Sequence, residues 1–213
     1  EIDSQVAATH PDFPIGLAVI EGESITWREM KDGGVQITNT AMSLTAEFIE
    51  HTFTPLKKIT WLNTSIGAIP GALPPLGGWV AATGTLNPEA WILFGILFLW
   101  QHPHFYSIAF MCKEDYKRAN LKMLPVLETD GKRTNRQIIW HSLLLIPVSL
   151  MPSYIGLLGM TYFWGALILG IGYFVSGFPL VKNYSLGNAK FLLKVSVVYL
   201  PALFGMIILD KMV

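Results

Sequence analysis

From Thr60 to the carboxyl end, apolar runs alternate with short breaks that carry most of the charge. The runs cover 62–82, 90–111, 138–157, 161–181 and 191–210, each near the roughly 20 residues that a helix needs to cross hydrocarbon. Five transmembrane helices are therefore predicted. The first run contains Gly67, Pro70, Gly71, Pro74, Pro75, Gly77 and Gly78. That content predicts a broken or strongly kinked helix, which survives at membrane depth only against protein or a wet cavity. The run is accordingly expected to line a pocket, or else to be a kinked packing helix. Residues 1–45 hold no comparable run. Their piece EGESITWREMKDGGVQITNT alternates apolar and polar positions around Asp32-Gly33-Gly34, the pattern of a small β-hairpin. This segment lacks the basic start and apolar centre of a signal peptide and is too short for a sizeable core. It is read as an acidic soluble segment, either hairpin or disordered.

Composition agrees with the periodicity. Of 213 residues, 52% are hydrophobic and 14% charged, and mean hydropathy is +0.45, which excludes an ordinary soluble domain. The zero net charge hides an asymmetry: residues 1–50 carry nine acids and two bases, residues 51–213 six acids and thirteen bases. Within the apolar part the bases fall in alternate loops. Lys57 and Lys58 precede the first run, seven bases from Lys113 to Arg136 follow the second, and Lys182 and Lys190 follow the fourth. By the positive-inside rule these loops are cytoplasmic, and five spans then place the carboxyl terminus outside. The single cysteine, Cys112, excludes an internal disulfide. No Ser/His/Asp set, Gly-rich phosphate loop or zinc spacing is visible, and no nucleic-acid partner is expected.

The densest chemistry lies in WQHPHFYSIAFMCKEDYKRANLKMLPV, residues 100–126. Adjacent carboxylates Glu114 and Asp115 at the end of an apolar helix suit Mg²⁺, which prefers oxygen ligands and shares them with substrate phosphates. Lys117 and Arg118 beside them could take the remaining phosphate charge. The plainer reading is a solvated topogenic loop whose acids pair with local bases. His102 and His104 are two apart, so on a helix they point to nearly opposite sides and cannot chelate one metal. Gln101 and His141 are further polar groups inside spans, where such groups are functional candidates by default. Lys57 and Lys58, with Asn63 about a turn inside, form either an anchoring pair or a second set of anion ligands.

At these residues the chain resembles the haem O synthases, or protohaem IX farnesyltransferases, a branch of the intramembrane prenyltransferases. The similar segments are TPLKKITWLNTSIGAIPGALPPLGGWVAATG, LFLWQHPHFYSIAFMCKEDYKRANLKMLPV and NAKFLLKVSVVYLPALFGMI, which place a partial prenyltransferase-like domain at 51–213. The tryptophan-glutamine-x-proline-histidine-phenylalanine run is characteristic of that branch. The resemblance implies an all-α integral membrane fold, with these five or so helices forming the carboxyl-terminal part of a nine-helix bundle. It also implies transfer of a farnesyl group from farnesyl diphosphate to a vinyl group of haem B, giving haem O for terminal oxidases. Location in a bacterial inner (plasma) membrane and association with oxidase assembly proteins follow from the same likeness. Carried over by position, Asp115 with Glu114 matches the second acidic motif and would hold Mg²⁺. Lys57, Lys58 and Asn63 match the diphosphate-binding stretch. His104 matches the histidine of the tryptophan-glutamine run and would touch the haem with Gln101, while Lys117 and Arg118 would meet diphosphate or haem propionates.

The chain departs from the family pattern in three places. Phe53 stands where tyrosine is usual and Lys58 where arginine is usual. The first acidic motif, an asparagine followed by two aspartates four apart, has no counterpart at Asp3, Asp12 or Asp32. About four upstream spans of the family are likewise unmatched, and residues 1–45 look unrelated to it. Two other readings compete. One is another intramembrane prenyltransferase acting on a quinone precursor or aromatic acid. The other is a non-catalytic haem-binding membrane protein with His104 and His141 as axial ligands.

Overall fold

A computed structural model describes residues 54–212; the expected hairpin and Phe53 lie outside the described residues. Among the described residues nine helices follow one another: α1 (Thr54–Ile59), α2 (Asn63–Thr83), α3 (Pro88–Met111), α4 (Lys113–Arg118), α5 (Leu124–Leu127), α6 (Lys132–Tyr154), α7 (Met160–Ser176), α8 (Phe178–Lys182) and α9 (Leu186–Met212). The long ones fall on the five apolar runs, with α7 and α8 sharing the fourth. No strand occurs among the described residues.

Local chemistry sets the ends. Proline at the start of α3 supplies a φ already suited to a helix and lacks a donor that would go unpaired there. Gly84 closes α2 in the left-handed region, at φ 75°, and its N–H donates to Val80 O at 2.9 Å. Trp79 Nε1 donates to Asn87 Oδ1 at 2.7 Å, pinning the turn between α2 and α3. Gly131 opens α6 at φ 66°, with the ring of Tyr184 where a side chain would stand. Only glycine fits both demands.

Four long helices, α3, α6, α7 and α9, pack in a closed ring, and α2 lies against the outside of α3. The core holds Ile92, Ile96, Ile138, Leu145, Leu192 and Leu203 together with Tyr106, Tyr162, Tyr173 and Tyr199. Apolar side chains also face outward: Trp140, Trp164, Ile168, Val198 and Ile208 are all more than half exposed. A surface of that kind suits lipid and would be a liability in water.

One expectation needs correction. The first run does not break: α2 is one helix of 21 residues with Pro70, Pro74 and Pro75 inside it. Prolines are tolerated in such helices where neighbours restore the disturbed bonding. The carbonyls that lose a donor are those of Ile66, Pro70 and Gly71; Gln101 Nε2 of α3 donates instead to Ala68 O at 2.7 Å and so ties α2 to α3. The long helices differ in hydropathy: Met160–Lys182 and Leu186–Met212 are apolar enough to cross a membrane by length and composition alone. The other three carry Gln101 and all the described histidines.

Candidate active site

The candidate site begins at the end of the bundle where α1, α4 and the loop before α5 meet. The N–H of Lys122 donates to Lys57 O at 2.7 Å. Asn63 is fully buried, and its Nδ2 donates to Thr60 O at 2.6 Å and to Lys122 O at 2.9 Å. Through these bonds the lysine pair before α2 and the charged segment after α3 are brought to one edge. Asn63 itself acts as the tie: both hydrogens of its amide are engaged with backbone, so it presents no donor outward.

The carboxylates sit in the first turn of α4. Glu114 and Asp115 are exposed, as are Lys117 and Arg118. Asp115 is paired with Arg118, an i,i+3 contact at the surface. Such a pair contributes about 1 kcal/mol or less and opens readily when a stronger partner arrives. Among the described residues no three of His, Cys, Asp and Glu come together to hold a metal. Glu114 and Asp115 fit Mg²⁺ in the way that ion usually binds, through one or two carboxylates with substrate phosphate oxygens and water completing the shell. Lys113 turns away from them and donates through Nζ to Glu128 O at 2.8 Å.

Beneath this mouth α2 and α6 flank α3, each packing on it. Polar side chains gather where the three helices meet. From α2 come Thr64 and Ser65, from α3 Gln101, His102 and Tyr106, and from α6 His141. His102 is fully buried, with Nδ1 at 2.7 Å from Phe98 O and Nε2 at 3.3 Å from Ser65 Oγ. Its ring stacks on His141 with centroids 3.8 Å apart and planes 12° from parallel. Tyr106 buries its hydroxyl with no hydrogen bond of ordinary geometry.

The other sequence candidates take different roles. His104 faces α9: Nδ1 lies 2.8 Å from Ser196 Oγ, and the ring stacks on Trp100 at 4.7 Å. Since His141 pairs with His102, His104 and His141 do not converge, and a haem held between those two is not supported. Gln101 is buried as a brace for α2, with Oε1 so close to Gly71 that a side-chain carbon there would sit 2.5 Å away. Its amide holds helices together rather than lining open space. Sequence reasoning missed Ser65, Ser196 and Tyr106. Hydroxyls alone within apolar runs were the available signal, but their partners lie in distant helices.

Residues 35–198 match the UbiA prenyltransferase family. The chain belongs to that family. Membership makes it a membrane protein and places α2 to α9 in an all-helical prenyltransferase bundle. Among curated relatives it is 50% identical over 159 residues to a protein from Solibacter usitatus, covering 75% of this chain and 54% of that one. It is 44% identical over 166 residues to one from Koribacter versatilis, with shares of 75% and 54%. A third, from Salinibacter ruber, is 43% identical over 158 residues, covering 74% of this chain and 56% of that one. All three are named protoheme IX farnesyltransferase. The chain spans about half the length of the curated relatives it matches. No solved structure matches it.

Proposed function

We propose that this chain, as part of a protohaem IX farnesyltransferase, transfers the farnesyl group of farnesyl diphosphate to a vinyl group of haem B, giving haem O. The observation that carries the reading is the junction of Lys57, Asn63 and Lys122 at the end of the bundle. It puts a basic pair and an acidic pair at one mouth, where a diphosphate would rest with its apolar tail directed inward. Relatives of the same name support this acceptor over a quinone precursor or an aromatic acid.

Lys57, Lys58, Lys117 and Arg118 draw the diphosphate oxygens by charge, and Arg118 leaves Asp115 to do so. Mg²⁺ held by Glu114 and Asp115 would neutralise the departing diphosphate. As the C1–O bond breaks, the electron pair leaves with diphosphate and an allylic cation remains. The haem vinyl group supplies its π electrons to form the new carbon–carbon bond, and water captures the cation left beside the pyrrole ring. The bundle's apolar interior keeps water from the allylic cation before that step. The mouth faces the cytoplasm of a bacterial inner membrane, following the alternation of basic loops. The product then serves oxidase assembly.

The test is to express the chain in membranes, alone and together with the upstream spans of the Solibacter usitatus relative. Haem B, farnesyl diphosphate and Mg²⁺ are supplied, and haem O is sought by mass spectrometry. Product is expected from the combined form. Its absence there, with the intact relative active in parallel, overturns the assignment.

A further inference from the structure

The stacked histidines have no place in the diphosphate chemistry, yet their hydrogen bonds are one-sided in an informative way. The Nδ1 of His102 meets Phe98 O at 2.7 Å, and the Nδ1 of His141 meets Gln137 O at 2.7 Å. A carbonyl can only accept, so Nδ1 carries the proton in both rings, and in the neutral rings each Nε2 keeps its lone pair. At His102 that lone pair is occupied by the Ser65 hydroxyl at 3.3 Å. At His141 it has no hydrogen-bond partner among the described residues. His102 is thus a fully buried ring anchored at both nitrogens, while His141 is half-buried and lies flat against it. A backbone carbonyl on one nitrogen and a free lone pair on the other is the usual preparation of a metal-binding histidine.

We infer that His141 Nε2 is the protein ligand for the iron of the porphyrin substrate, held in position by stacking on His102. This rests on the proposed haem acceptor and adds to it the group that fixes the macrocycle. The lone pair of His102 is taken by Ser65, so the His141 imidazole binds and the ring packed on it supports it. His141 lies nine residues into α6, and nine rises of 1.5 Å put it about 14 Å along that helix from Lys132. Iron bound there turns the propionates toward the basic loops that hold Lys57, Lys58 and Lys122. His104 is excluded from this role because it faces α9.

The test uses the whole chain in detergent, titrated with ferric haem B, with metal-free protoporphyrin IX and with Co²⁺ alone. Wild type is expected to bind ferric haem with the absorption bands of an imidazole-ligated iron. His141→Gly should weaken ferric haem by roughly tenfold or more while leaving metal-free porphyrin within about twofold. Millimolar imidazole should restore the bands. His141→Phe keeps the ring on His102 but has no lone pair, so it should lose the bands and gain nothing from imidazole. Unchanged bands in His141→Gly overturn the inference, as does equal weakening of both porphyrins or failure of wild type to bind ferric haem. Tight Co²⁺ binding lost with His141 would assign the site to a free metal ion and overturn the haem assignment. Haem O formed by the combined form despite unchanged bands in His141→Gly would sink this inference and leave the proposed activity standing.

Discussion

In the hairpin of α7 and α9, polar groups are few and mostly bonded to backbone. Tyr162 donates to Ser149 O at 2.8 Å, Tyr173 to Trp100 O at 3.1 Å, and Asp210 accepts the N–H groups of Gly159 and Tyr162 at the head of α7. In α2, α3 and α6 polar groups are more numerous. Gln101 braces the backbone of α2, His102 joins Ser65 to His141, and Asn63 holds the loop at Lys122. The hairpin passes a test for membrane helices on composition, and those three do not. The helices that look least suited to lipid by hydropathy are therefore the ones that carry the stacked histidines and hold the charged loops.

The largest separation between the two regions should come from Asp115→Asn in the combined form used to test haem O synthesis. Its carboxylate is exposed and its ion pair with Arg118 is a surface contact, so stability should not change. Turnover should fall by roughly a hundredfold, the usual loss when one group that meets developing charge is removed. Near-normal turnover with unchanged Mg²⁺ dependence would mean that the mouth binds diphosphate elsewhere.

A pair of identical substitutions probes the same contrast through packing. In Gly71→Ala the new carbon meets Gln101 Oε1 at 2.5 Å, so the amide must move and its bond to Ala68 O is lost. A buried amide left unpaired costs about 1–3 kcal/mol, more than the ~1 kcal/mol that alanine gains over glycine inside a helix. In Gly165→Ala the new carbon meets the end of Met206, a flexible thioether that can swing aside. Thermal unfolding should show the first variant less stable and the second equal to or more stable than the parent. Equal shifts of one sign would remove the distinction between a braced and a compliant interface.

The helices were legible because each needs a long apolar run, and the five runs lie within a few residues of five long elements. The acidic and basic pairs at the mouth were legible because they are adjacent in sequence. What could not be read were pairings set by distant helices. The tie between α2 and α3 is made by Gln101, 33 residues from its acceptor. The outward turn of His104 depends on Ser196, 92 residues away. His102 occupied the unspecified position of the tryptophan-glutamine run, and only the approach of α6 gives it a partner in His141.

The smallest effect expected lies at the start of α6, the helix that carries His141. Asp130 accepts the N–H of Lys132 at 3.2 Å and pairs with its ammonium at 3.2 Å. These donors hold its carboxyl below the usual carboxylate range. A depressed acid stabilises the fold where it is ionised, so its contribution is full above the unfolded-state value and fades as pH falls through the lower folded-state one. The group is fully exposed, so solvent screens the effect. Glu128, in the same loop, is largely buried at 11% exposure and accepts both the N–H and the hydroxyl of Thr134. Asp130→Asn should therefore lower the unfolding temperature slightly at neutral pH, and the difference from wild type should shrink as the medium is acidified. A difference that grew on acidification would mean that Asp130 is destabilised by charge, and that Glu128 and Gly131 alone set the start of α6.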